Sequence, residues 1–398
     1  MGVTGSSGKG STTRVIANVL KESGYKVCYN ENGSNILSGM ATLILKNCNL
    51  NNTFNADILL VEIDERFIKK TFKPNILTHL LITNITRDQT SRNIHPDYIF
   101  NDIFDNIGKN THLIINADVS TLNKIKLRHK GKITTYGVNI TSKSYYVPKI
   151  NNLDDIYCPK CYEKFDYEFY HYGNLGNYKC PSCDYSRGKL DYLVDSVDFK
   201  NGQIQIQKQT INLDQNVLYA VYYMVASYAV CSVIGIDKKE VVKHLNSMPK
   251  YENKKFLYKL GNREVELLDS KNENALAYDQ SLTYIKDFKG KKTVVLGFDK
   301  VSRRHKHNDI SWLWDVEYEN LNEKEIVKIV CIGKFKYDIA TRLIYAGICE
   351  EKLIFVDDLN NLIEVLRNET SGNIFIVFYY DILNKIISML KKVQNGNN

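Results

Sequence analysis

The sequence predicts an α/β protein of two units, each built on a mostly parallel sheet. Three observations predict it: a glycine-rich anion loop that opens a helix, short apolar runs alternating with helical stretches, and a second such alternation from about residue 250. The loop comes first, in TGSSGKGSTTR. Gly5, Gly8 and Gly10 allow a tight turn that brings backbone N–H groups close to an anion. Lys9 adds a point charge for the β- and γ-phosphates of a nucleotide, and the hydroxyls of Ser11, Thr12 and Thr13 are placed to reach a Mg²⁺ ion. Val15, Ile16, Val19 and Leu20 then follow the spacing of an amphipathic helix, whose N-terminus is itself an anion site. The strict Walker form needs a glycine where Val3 stands, so the match is to a shorter G-x-x-G-K type. A disordered Gly/Ser-rich tail would also explain the glycines, but not the lysine followed by a helix. The loop reads as a phosphate cradle. A parallel sheet needs a strand to anchor such a loop, and here the loop begins at the second residue, so that strand reads as missing.

The elements then follow in order. YKVCYN, ADILLVEID (Ala56 to Asp64), THLLITNI (Thr78 to Ile85), THLIINAD (Thr111 to Asp118) and KITTYGV are short buried strands separated by helical stretches. DSVDFKNGQIQIQKQTINL reads as strands returning to the same domain, and NVLYAVYYMVASYAVCSVIGI as a strongly apolar helix that closes it. In the second unit the strands are TVVLGF, IVKIVCIG, KLIFVDD and NIFIVFYY. The domains are therefore set at 1–248, with 155–190 an insertion, and 249–398. Ligands of such sheets sit at the carboxyl ends of strands. Glu62, Asp64 and Glu65 end one apolar run, where a carboxylate can bind Mg²⁺ on nucleotide phosphates. Asn84, Arg87, Asp88 and Gln89 end another. Either cluster alone would also suit a solvated loop.

The insertion carries CPKCYEKFDYEFYHYGNLGNYKCPSCDYSRG. Cys158 with Cys161, and Cys180 with Cys183, form two C-x-x-C knuckles separated by eighteen residues. Four thiolates bind one tetrahedral Zn²⁺, and a site with all four ligands from protein leaves no open position, so such a metal is structural. Cys28, Cys48, Cys231, Cys331 and Cys349 are scattered and read as small apolar residues. The sequence has 398 residues, is 43% hydrophobic and has a net charge of +8, which fits a globular protein and selects no class of partner. It has no run of eighteen apolar residues, and its start lacks the layout of a signal peptide.

The loop, EIDE and NITRDQ resemble the central domain of the Mur ligase superfamily, which includes folylpolyglutamate synthases. The four-cysteine insertion, DISWLWDVEYENL and GKFKYDIATRLIYAGI are similar to its glutamine-dependent amidating branch, from Gly2 to about Leu390. The resemblance implies an ATP-binding central domain with a parallel sheet and an inserted zinc ribbon. It also implies a Rossmann-like α/β C-terminal domain, with the family's N-terminal domain missing. The implied reaction is ATP-dependent amidation of the α-carboxyl of D-isoglutamate in the lipid II stem peptide. ATP, Mg²⁺ and structural Zn²⁺ are the implied cofactors, and a GatD-type glutaminase is the implied source of ammonia. The implied location is the cytoplasmic face of the membrane, with no nucleic acid as partner.

Carried over by position, Gly5, Gly8, Lys9, Gly10, Ser11, Thr12, Glu62 and Asn84 hold the nucleotide and its metal. Asn216 begins the adenine-contacting helix, with Tyr219 where a second asparagine is usual. The resemblance makes Lys271 and Asn272 of LLDSKNENA the candidates for the polar groups presented to the substrate. The resemblance also implies an aspartate that completes the glutaminase's Cys–His pair, for which Asp309 is the first candidate and Asp315 the second. VSRRHKHND is more basic than the family's run there, and FYYD replaces T-Y-T. Two other readings stay open: an amino-acid ligase of the Mur or folylpolyglutamate type, and a non-catalytic zinc-ribbon binding protein on a degraded nucleotide fold.

Overall fold

The computed structural model describes residues 1–394 apart from 31–33, 50, 52, 72, 74–75, 88–94, 150–152, 250–255, 270–273, 303–307 and 379. It divides into two compact units, Met1–Thr86 with His95–Tyr251, and Arg87–Ile94 with Glu252–Asn398. No helix among the described residues is long and apolar enough to cross a membrane.

In the first unit the strands are β1 (Gly2–Thr4), β2 (Val27–Tyr29), β3 (Ile58–Glu62), β4 (His79–Ile82), β5 (His112–Asn116) and β6 (Ile133–Val138), then β7 (Asp166–Tyr172), β8 (Leu175–Lys179), β9 (Tyr192–Asp198), β10 (Gln203–Ile206) and β11 (Gln209–Asn212). Nine of them form one sheet in the order β11-β10-β9-β6-β5-β4-β1-β3-β2, and β7 and β8 form a separate hairpin. The sheet is parallel from β2 to β9, and β10 and β11 extend it antiparallel. Strand residues alternate between two cores, as the period-two pleat requires. Val3, Leu60, Leu81 and Ile114 pack beneath helix α1 (Lys9–Glu22), while Val61, Ile63, Leu80, Ile82, Leu113 and Ile115 face the opposite side. Helices α2 (Leu37–Asn47), α3 (Ile68–Thr71), α4 (Pro96–Phe104) and α5 (Ser120–Asn123) supply that second layer. Beside α1 lie α6 (Leu218–Ile234), apolar almost all round and buried, and α7 (Lys238–Ser247).

One expectation is corrected here. The strand that should carry the glycine loop is present: Gly2–Thr4 runs parallel between β3 and β4. It leaves no sequence signal because it is three residues long and begins with glycine. A Cβ at Gly2 would lie 2.8 Å from Ile63 Cδ1 and 2.9 Å from Leu80 Cδ1, so the neighbouring strands leave room for nothing larger.

In the second unit β12 (Phe256–Leu260) and β13 (Arg263–Asp269) form a hairpin turned at Gly261, and β14 (Lys292–Gly297), β15 (Ile326–Ile332), β16 (Leu353–Val356) and β17 (Asn373–Phe378) complete a sheet ordered β12-β13-β17-β14-β15-β16. Beyond the hairpin the pairs are parallel. The same alternation places Val294, Leu296, Ile329 and Cys331 with α8 (Ala275–Asp287) and α9 (Lys336–Tyr345), and Val295, Val330 and Ile332 with α10 (Leu362–Asn368) and α11 (Tyr380–Gln394). Trp312 is part of this core, but Trp314 is 54% exposed. Of the scattered cysteines, Cys28, Cys231 and Cys331 are buried, whereas Cys349 is exposed and Cys48 partly so.

Candidate functional site

The loop between β1 and α1 is tied down by the strand on its far side. Gly5 has φ 136°, and a Cβ there would meet Thr83 Oγ1 at 2.3 Å and the Asn84 carbonyl at 2.7 Å. Only glycine fits. Ser6 N–H donates to the Asn84 carbonyl at 3.0 Å, and Ser6 Oγ exchanges hydrogen bonds with the Thr86 backbone. The Asn84 side chain spans Ser7, accepting from its N–H at 2.9 Å and donating to its carbonyl at 3.1 Å. Gly8, at φ 78°, caps α1, and Thr12 closes the first turn on the Gly8 carbonyl. Ser11 is exposed on that turn, while Thr12 is buried.

Lys9 folds over this loop. Its Nζ donates to the Gly5 carbonyl, to the Ser6 carbonyl at 3.4 Å and to Glu65 Oε2 at 3.0 Å. Glu62 ends β3, and a Cβ at Gly10 would lie 3.3 Å from its Oε2, so the carboxylate sits against the first turn of α1. Two asparagines absent from the sequence reading hold it. Asn35 Nδ2 donates to Glu62 Oε1 at 2.9 Å, and Asn30 brackets the Glu62 backbone, accepting from its N–H at 2.7 Å and donating to its carbonyl at 2.9 Å. Glu62, Asp64 and Glu65 are all buried, unlike the acids of a solvated loop. A helix N-terminus, a lysine and a fixed carboxylate thus converge at the end of a parallel sheet, an arrangement suited to a polyphosphate and its divalent cation.

Asn216 stands apart from this cluster. It is exposed, its side chain lies over Gly202, and its carbonyl accepts from Lys143 Nζ at 3.0 Å. Two residues earlier, Asp214 faces Arg14 of α1 at 3.7 Å and accepts from the Tyr223 hydroxyl of α6. Lys271, Asn272, Asp88 and Gln89 lie outside the described residues.

The four knuckle cysteines come together, with their sulfur atoms all within 4.8 Å of one another. Sγ–Sγ separations are 3.5 Å for Cys158–Cys183, 3.3 Å for Cys161–Cys180 and 3.8 Å for Cys161–Cys183. A tetrahedron with metal–sulfur bonds of about 2.3 Å has edges of about 3.8 Å, so the donor set and its size fit Zn²⁺. Lys160 N–H donates to Cys158 Sγ at 3.4 Å, and Phe165, Tyr178 and Tyr185 form a small core beneath the knuckles.

In the second unit Asp309 is exposed and accepts from Ser311 N–H at 2.9 Å, which starts the 3₁₀ turn Ser311–Asp315. Asp279 of α8 is buried and accepts from Glu317 N–H at 2.7 Å. Burial foremost, and then the charges of Glu317, Glu319 and Asp315 against the pull of that N–H, push its carboxyl up to about 7. A carboxyl raised above its unfolded value of 3.8 contributes stability below that pH and loses it as pH rises through about 7. Asp279→Asn keeps the acceptor and removes the charge. It is expected to gain on the order of 2–4 kcal/mol over wild type at pH 8 and nothing at pH 3.5, read as thermal unfolding against pH. An equal difference at both values would contradict the assignment.

The fold is of the Mur ligase type, an α/β architecture with parallel sheets. Residues 3–158 match the Mur ligase middle domain, and residues 271–383 match the family described as MurT ligase C-terminal. The fold is similar to that of a pseudomurein peptide ligase type C from Methanothermus fervidus, with TM-score 0.68 at 18% identity over 98% of this chain and 78% of that one. The chain is 24% identical to a Staphylococcus aureus protein over 86% of its length and 76% of the relative's. It is 26% identical to one from Streptococcus pneumoniae, over 98% of its length and 87% of the relative's. Both carry the name lipid II isoglutaminyl synthase (glutamine-hydrolyzing) subunit MurT. The chain is a homologue of these MurT subunits.

Proposed function

We propose that this chain is the ATP-using, amidating subunit of a lipid II isoglutaminyl synthase, acting in peptidoglycan synthesis. The observation that carries the reading is the meeting of Lys9, Glu62 and the first turn of α1 at one strand end, in a chain that also matches the MurT C-terminal family. ATP would bind with its phosphates on the loop N–H groups and its β- and γ-oxygens against Lys9, which must then exchange Glu65 for phosphate. Glu62, fixed by Asn30 and Asn35, and the exposed Ser11 hydroxyl would hold Mg²⁺. When bound, that ion would neutralise charge on the phosphates. An α-carboxylate oxygen of D-isoglutamate attacks the γ-phosphorus, the bond to ADP breaks, and an acyl phosphate forms. Ammonia then attacks the carbonyl carbon, phosphate leaves with its oxygen, and loss of a proton gives the carboxamide. Lys9 and the loop act by positioning and charge, which suffices for phosphoryl transfer.

A partner glutaminase would supply the ammonia, with Asp309 set to orient the partner's histidine. The exposure of Asp309 supports that role. Delegated glutamine hydrolysis also suits the buried thiols of this chain: burial pushes Cys231 up, and Cys331 up to about 12, so both stay protonated and unreactive. Lys271 is our candidate for the substrate-facing lysine. Purified protein is expected to release ADP over repeated turnovers only when lipid II and either ammonium or glutamine with the glutaminase are present, with lipid II and ATP alone giving no more than a single turnover. Turnover with a free amino acid in place of ammonia would instead favour a peptide-forming ligase.

Cys158, Cys161, Cys180 and Cys183 would hold a structural Zn²⁺. Metal analysis is expected to find one zinc per chain. Cys180→Ser should lose it and loosen the ribbon, since structural zinc binding is folding free energy. Freshly purified protein without zinc would remove this assignment.

A further inference from the structure

The ribbon has no part in the chemistry above, yet among its several ties to the nucleotide domain one runs through a buried carboxylate. Asp118, wholly buried just after β5, accepts from three groups on three different elements. Arg187 Nη1 reaches Oδ1 at 2.9 Å, while Val138 N–H of β6 and the Tyr222 hydroxyl of α6 each reach Oδ2 at 2.8 Å. Gly137 leaves space for the carboxylate, since a Cβ there would lie 2.4 Å from Oδ1. Arg187 is itself buried and follows the knuckle residue Cys183 by four positions, and its N–H is fixed to the Tyr178 carbonyl of β8 at 3.0 Å. Its position therefore depends on the knuckle.

Tyr222 stands in the second turn of α6, next to Tyr223. Tyr223 donates to Asp214, which in turn faces Arg14 on the phosphate-loop helix α1. The second turn of α6 is thus held on one side by the ribbon, through Asp118, and on the other by α1, through Asp214. Burial foremost, and then the Asp118 charge beside it, raise the Tyr222 phenol well above its usual 10, which keeps it a donor.

We infer that the cysteine ribbon is energetically coupled to the nucleotide site, with Asp118, Arg187 and Tyr222 as positioning residues between them. The inference rests on the proposed metal and nucleotide sites and goes beyond both. Filling the ribbon should fix Arg187 on Asp118, hold the second turn of α6 and so tighten the cradle for nucleotide. Coupling of this kind is reciprocal.

The test uses the full chain. Binding of a fluorescent ATP analogue with Mg²⁺ is titrated calorimetrically for zinc-loaded and chelator-stripped protein, and zinc affinity is measured by chelator competition with and without saturating nucleotide. Stripping is expected to weaken nucleotide binding by about tenfold, and nucleotide to tighten zinc by the same factor. Tyr222→Phe removes only the hydroxyl, so it should retain zinc and nucleotide binding while most of the coupling disappears. If stripped protein unfolds, the competition measurement on loaded protein still decides the matter. Zinc affinity indifferent to nucleotide, or undiminished coupling in Tyr222→Phe, would overturn the inference. Failure to bind nucleotide in any state would instead overturn the proposed function.

Discussion

Lys9→Ala is expected to lower ATP-dependent amidation by roughly 10²–10³-fold, the scale on which one preorganised charge contact with a transition state is worth removing. The loss should appear with ammonium as well as with glutamine, because phosphoryl transfer precedes the use of either. A second effect follows from the pairing of Lys9 with Glu65, whose side chain is only 4% exposed. Removing the lysine takes that cation from a nearly buried carboxylate, so the single variant should also unfold more easily. Adding Glu65→Gln should restore stability without restoring activity, which separates the two effects. Glu62→Gln makes a companion case: the amide can still bond with Asn35 yet carries no charge for Mg²⁺. Its defect should lie in the Mg²⁺ dependence of turnover. Rates within a few-fold of wild type in either variant, measured by coupled ADP release, would mean that the nucleotide binds elsewhere.

The second large effect concerns Asp309. Asp309→Asn should reduce glutamine-dependent amidation by about four orders of magnitude, the scale seen when an aspartate that fixes a catalytic imidazole becomes an amide. The local structure should survive, since the amide oxygen can still accept from Ser311 N–H and start the turn. Binding of the glutaminase should persist, and added ammonium should restore the rate because the ATP site is untouched. A defect that ammonium cannot rescue would assign Asp309 to the ligase step. Full activity with glutamine would move the role to Asp315, which is less exposed, at 17%.

What the sequence made legible was whatever acts locally. Strands buried on both faces are written as unbroken apolar runs, and ILLVE and LIIN stand where those runs place them. The loop and its helix were readable too, because they are contiguous in the sequence. β1 was not, since a strand of three residues starting with glycine has no periodicity to detect. The β12–β13 hairpin escaped for another reason. Its Gly261–Asn262 turn is a usable signal, but lysine, arginine and glutamate interrupt its strands and hide the alternation. Asn30 and Asn35 hold Glu62 from 32 and 27 positions away, and no local pattern marks such partners. Arg187 and Asp118, 69 positions apart, are invisible for the same reason.

The most direct measurement is made on the lipid product. Purified chain, loaded with zinc, is incubated with lipid II, Mg·ATP and isotopically heavy ammonium, and the stem peptide is then analysed by mass spectrometry. One heavy nitrogen per stem peptide is expected, located at the D-isoglutamate α-carboxyl by fragmentation, with one ADP formed per amide and both falling together in Lys9→Ala. Unmodified lipid II after ATP has been consumed, or a heavy nitrogen at another carboxyl, would contradict it.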